Sequence, residues 1–230
     1  MFRADLSPDD LAALEQEALR INLRFVTEII ESKHVCPFAR AARLDGSSVR
    51  RVCLIDEPRI DAIIEVIAQL EKVREPEVAV GQIIMPRINL EARPFAEFVA
   101  EVGKANAARF PGSRPVFVHA AFHPDLAYST DTPSRMVPYF RRSPDPLMQV
   151  VRLEVLDSVH ANRPSGSQFW DGSPESLARL MAPRPESVTD RISRDNHTAA
   201  MSGGLEELER IHADIAADRA RSYSRFFAAT

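Results

Sequence analysis

His123 has the setting of a residue that does chemistry. It closes an apolar run, 116–122, and stands between Phe122 and Pro124, with Asp125 two residues on. An imidazole on a stiff backbone at a strand end can ligate a metal, provided an acceptor holds its other nitrogen. Asp125 or a nearby carbonyl can be that acceptor. The plainer role is a histidine that finishes the strand through hydrogen bonds. His119 shares a face with His123 at strand period, but the two Cα atoms of a regular strand would stand roughly 13 Å apart, too far for one ion. His119 therefore reads as structural or pocket-lining.

Cys36 ends a helical stretch and precedes Pro37 and Phe38. Its thiolate can serve as a nucleophile, metal ligand or redox sensor, and Lys33 and Arg40 would favour ionisation. A buried, inert cysteine in a tight turn fits the same residues. Cys53 alternates with strand neighbours and reads as core. Arg141, Arg142 and Arg152 surround a second cluster that includes Ser143. Guanidinium forks grip carboxylates in pairs, so these arginines are candidate clamps, or else they pin a loop through surface ion pairs. His34, His160, His197 and His212 show no ligand-like spacing and read as surface or capping residues. Trp170 and Phe169 sit in a Ser/Gly-rich stretch and could close over a pocket. Nucleophile-elbow, P-loop, dinucleotide-binding and zincin motifs are absent, and so is any C-x-x-C.

The elements that must position these residues follow from periodicity. Ser7-Pro8-Asp9-Asp10 is a helix start, with a cap, a proline suited to the first turn and acids at the positive end of the dipole. Leu11, Leu14, Ala18, Ile21, Phe25 and Ile29 carry the helix to about residue 33. Strands are expected at 49–55, 78–85, 116–122 and 147–155, and helices at 58–73, 94–110, 175–181 and 205–227. Residues 123–146, 161–175 and 182–203 read as loop, with 161–203 a candidate lid or arm. The pattern predicts one α/β domain over 1–230: a central sheet of about four strands flanked by helices, with long N- and C-terminal helices. The striped end helices offer a homodimer surface, or pack internally.

Composition sets outer limits. The chain is 45% hydrophobic and 27% charged, with a net charge of −4, which suits a globular protein and not a nucleic-acid binder. No apolar run reaches the ~18 residues of a membrane span. The acidic start lacks the apolar core of a signal peptide, and two cysteines make no disulfide framework, so a cytoplasmic setting is expected.

Three ordered segments resemble a bacterial family known as domain of unknown function 1415: Cys36-Pro37-Phe38-Ala39, Phe122-His123-Pro124-Asp125, and Arg141-Arg142-Ser143-Pro144-Asp145-Pro146 leading to Arg152. The resemblance covers roughly 20–160. Arg141 stands where the family has Asn, and Gln149 where a His is common. More remotely the layout is similar to the YqcI/YcgG type, some of which are haem-dependent enzymes that hydroxylate nitrogen. That likeness implies a haem oxidoreductase using dioxygen or peroxide on a small, amine- or guanidine-bearing, amino-acid-like substrate. It implies His123 as iron ligand and Cys36, Phe38, Ser143 and Arg152 as cofactor contacts, with Arg142 and Asp125 in catalysis. Two alternatives stand beside it: a haem-free enzyme using Cys36 or a non-haem metal, and a non-catalytic haem or small-molecule binder.

Overall fold

The computed structural model describes residues 2–3, 5–33, 35–36, 39–160 and 188–228. The chain begins with α1 (Pro8–Arg24). Its start is a capping box: Ser7 Oγ accepts from the Asp10 N–H at 3.1 Å, and the Asp10 carboxylate accepts from the Ser7 N–H at 3.2 Å. Leu14, Ala18 and Ile21 form the buried stripe, which Phe25 and Ile29 extend through a π-helical turn over Phe25–Glu31. A short helix, α2 (Ala39–Leu44), follows the Cys36 turn.

Four strands form one mixed sheet: β1 (Ser48–Val52), β2 (Val80–Ile84), β3 (Phe117–Phe122) and β4 (Leu147–Arg152). Their order is β1-β2-β4-β3. β1 and β2 run parallel, joined through α3 (Ile60–Lys72), while β4 is antiparallel to both its neighbours. The ends of β1, β2 and β3 thus share one edge with the start of β4.

Alternation of side chains splits the core in two. Ile84, Phe122 and Leu147 join α1, the π-helical turn and the C-terminal helix on one face. Ile83, Phe117, Met148 and Val150 join α3 and α4 (Ala92–Ala108) on the other. On that second face His119 is pressed so closely on α4 that a Cβ at Gly103 would lie 1.8 Å from its ring. The sheet is therefore covered on both sides, and the expected α/β class holds.

The expected loops need correction. Within 123–146, Thr132 caps a short helix, α5 (Pro133–Met136), by accepting from the Arg135 N–H, and a 3-10 turn follows over Val137–Arg141. The strand at 147–155 stops at Arg152, where α6 (Leu153–His160) begins. Within 182–203 lies α7 (Val188–Ala199), which packs on α5 and leads through Ala200–Gly204 into α8 (Leu205–Tyr223). Its sequence is mostly polar, and few apolar residues mark it as a helix. Tertiary bonds hold it instead: Asn196 Nδ2 donates to the Val35 carbonyl at 2.9 Å, and His197 Nε2 meets the Thr130 carbonyl at 2.7 Å. The expected helix at 175–181, Trp170 and Phe169 lie outside the described residues. Among the described residues, no helix is long and apolar enough to cross a membrane.

Candidate functional site

Two regions hold the residues of interest. At the strand-end edge, His123 follows β3 and is 3% exposed against the Phe95 ring. Its Nε2 lies 3.0 Å from the Leu90 carbonyl, and its Nδ1 accepts from the Asp125 N–H at 3.1 Å. A carbonyl only accepts and an amide only donates, so this pairing fixes the neutral tautomer with the proton on Nε2. Burial holds its pKa below the ordinary range. Asp125 contributes its backbone; its carboxylate is 85% exposed and 4.0 Å from Nδ1.

The same edge is built by Arg142-Ser143-Pro144-Asp145-Pro146. Arg142 donates from Nε to the Pro124 carbonyl, lies 3.5 Å from Glu209, and rests near the Tyr128 and Tyr139 rings. Buried Ser143 donates to the Asp145 carbonyl. Asp145, 3% exposed, accepts from Arg219 Nε at 2.7 Å and from the Tyr223 hydroxyl at 2.8 Å. This motif is a clasp that ties the sheet edge to α8. A cleft of about 550 Å³ borders His123, Arg142 and His212.

Arg152 is not part of that edge. It pairs with Phe117 while Leu147 pairs with Phe122, which places Arg152 five residues down β4. That is about 17 Å of strand. Its Nε donates to the Val78 carbonyl at 2.9 Å, and its guanidinium stacks over Phe117. The expected clamp around one site shared with His123 is therefore not assembled. His212 also differs from its surface reading: it lies between the Phe25 and Tyr139 rings, its Nε2 finds no partner, and burial pushes its pKa down to about 4.

The second region is an apolar cavity of about 290 Å³ on the α1 face of the sheet. Phe25, Val26 and Ile30 of the π-helical turn lie against it, as do Cys36, Phe122 and Phe140. π-Helical turns of this kind are frequent at functional sites. Ala39 and Ala42 keep one wall small, and Asn196 bonds the Val35–Cys36 segment to α7. Half-buried Cys36 reaches this cavity, not the His123 cleft. Phe38 lies outside the described residues.

The cavity floor is polar. Arg50, Gln82, Gln149 and Ala120 stand in register across the four strands. Gln82 is 7% exposed and its Oε1 has no hydrogen-bond partner; Arg50 Nη1 is likewise unpartnered. Gln149 lines the cavity beside Gln82. From the rim comes Arg141, whose guanidinium lies 5.9 Å from the Phe122 ring. It is exposed, and among the described residues no carboxylate forms an ion pair with it. Neither glutamine was selected from the sequence. The available signal was one polar residue inside each apolar run, Gln82 in Val80–Ile84 and Gln149 in Leu147–Arg152.

These donor sets decide what fits. An axial ligand to haem iron needs an open nitrogen lone pair. His123 has none in this arrangement, because one nitrogen carries the proton and the other accepts from an amide. His123 therefore does not fit that role. Among the described residues, no group of three or more His, Cys, Asp or Glu is placed to hold a metal ion.

The fold is that of a mixed α/β protein with an apolar cavity on one face of its sheet. The chain belongs to the family described as "Protein of unknown function (DUF1415)", whose sequence model matches residues 19–183. No curated protein and no solved structure matches it.

Proposed function

We propose that this protein binds a small organic molecule in the sheet-face cavity and that the cavity, not the His123 edge, is its working site. The observation that carries this reading is the cavity itself, a mostly apolar space that Cys36, Gln82, Gln149 and Arg141 border. The reading is the haem-free one: the pocket offers a thiol at Cys36, a cation at Arg141 and an amide pair, on walls that are otherwise mostly apolar.

The test is a ligand-observed NMR screen of small organic acids, alcohols and amines against the full chain. Binders are expected to slow alkylation of Cys36 and to lose affinity in Ala42→Phe, which fills the pocket wall. Binders that ignore both would overturn the proposal, as would a screen without binders. A Soret band from added hemin that His123→Ala abolishes would restore the strand edge as the working site.

A second reading makes Cys36 a nucleophile, favoured by the placement of its sulfur on the pocket lining. Cys36→Ser would then retain ligand binding and lose turnover. Full turnover in that variant would remove the thiol from the chemistry.

A further inference from the structure

We infer that the ligand of the sheet-face cavity is a small neutral molecule with an apolar body and one amide edge, a primary amide or a lactam, and that Gln149 is the residue that reads this edge. This deepens the proposed function and rests on it.

The inference starts from the side chain of Gln149. It stands on β4, an inner strand of a sheet covered on both faces, and it borders the cavity. Gln149 is half-buried, and among the described residues neither atom of its side-chain amide has a hydrogen-bond partner. Nor is either atom shut inside the protein. Buried atoms without a partner include Gln82 Oε1, but neither Oε1 nor Nε2 of Gln149. The Gln149 amide is therefore unpaired and open, and the space it opens on is the cavity.

Gln82 is its register partner on β2. Opposed Cα atoms of antiparallel strands stand about 5 Å apart, within reach of an amide–amide bond. No such bond joins these two side chains, and the Oε1 of Gln82 is enclosed. Gln149 thus keeps its whole hydrogen-bonding edge for the cavity.

That edge is a donor beside an acceptor. Its full complement is a second amide, which gives an N–H to Oε1 and accepts from Nε2 on its carbonyl, in two parallel bonds. Turning the Gln149 amide over exchanges the ends and keeps the pattern. A ketone, an ester or a carboxylate only accepts, and would leave Oε1 bare.

Charge and shape set the rest. Among the described residues that border the cavity, Arg141 alone is charged, and it is exposed at the rim. Arg50 shares the row of Gln149 across the sheet but does not border the cavity. An ionised ligand would lose its hydration at the floor and find no counter-ion there. Phe25, Val26, Ile30 and Phe140 wall the space, so the body of the ligand is apolar. One ring or a short branched chain suits a cavity of about 290 Å³.

The experiment compares three probes of nearly equal shape on the full chain: benzamide, acetophenone and benzoate. Affinity is read by titration, and occupancy by protection of Cys36 from iodoacetamide, with buried Cys53 as the internal control. Benzamide is expected to bind about tenfold tighter than acetophenone, which lacks the N–H for Oε1. Benzoate should bind weakest, by about a hundredfold, because its charge is unpaired at the floor. Gln149→Met and Gln149→Leu should each erase the preference of benzamide over acetophenone, while acetophenone still binds and still protects Cys36.

Benzamide binding no tighter than acetophenone, with Cys36 protected by both, would overturn the ligand class and leave the cavity as the binding site. Benzoate binding tightest would do the same. A preference for benzamide that survives in both Gln149 variants would overturn the assignment to Gln149. Failure of every probe to bind and to protect Cys36 would overturn the class, and the proposed function falls with it only if the wider screen is empty too.

Discussion

The two regions differ in how they are built. At the strand-end edge, His123, Ser143 and Asp145 are buried and each has its hydrogen-bond partners within the protein. The sheet-face cavity is instead mostly apolar, with Cys36, Gln82 and Gln149 on its lining and exposed Arg141 at its rim. The first pattern is that of a joint, since satisfied polar groups fix a unique local geometry. The second leaves open, mostly apolar space of the kind that small molecules fill. Residue type alone favoured the first region; the open cavity favours the second.

The largest expected effect tests the joint. Asp145→Ala strands the Arg219 guanidinium and the Tyr223 hydroxyl, and should lower stability by about 4 kcal/mol in urea unfolding. A loss below about 1 kcal/mol would break the claim that the motif is a clasp. His123→Ala leaves the Leu90 carbonyl and the Asp125 amide unpaired, for an expected loss of about 3 kcal/mol. A stable variant with altered ligand binding would instead move His123 into the site.

Acid titration probes the seam between the regions, where His212 touches Phe25 of the cavity and borders the His123 cleft. Burial lowers its folded pKa from 6.5 to about 4, so between those values the unfolded chain takes up a proton that the folded chain refuses. Stability is then full above pH 6.5 and falls as pH drops toward 4, by about 2 kcal/mol. His212→Phe should flatten that part of the pH profile; an unchanged slope would assign it to other groups. The smallest effect is expected for Gln82→Leu, whose unfolding free energy should stay within about 1 kcal/mol or rise, because it removes an unsatisfied acceptor. A loss as large as that of His123→Ala would end the contrast between the regions.

Much of the frame was legible before any tertiary contact was known. The capped start at Ser7-Pro8, the stripe from Leu14 to Ile29 and the apolar runs at the four strands are local signals, and each became an element close to its expected bounds. Polar α7 was not legible, because its helix is held by Asn196 and His197 bonding to distant carbonyls. The family motifs were legible as well, but their meaning was not. Arg142 and Arg152 look alike in sequence, yet they stand at opposite ends of β4.

Helix and strand positions, the α/β class and the family thus came from the order of residues, since hydrophobic period and capping act over a few positions of chain. Which of the candidate residues gather at one cavity came from tertiary structure, which sets Cys36 and Arg141 there and His123 elsewhere. Inserting β4 between β2 and β3 is what sets Gln149 beside Gln82, and only the packed surroundings show which polar atoms lack a partner. Hydrogen-bond satisfaction belongs to neighbours in space, and no local pattern along the chain encodes it.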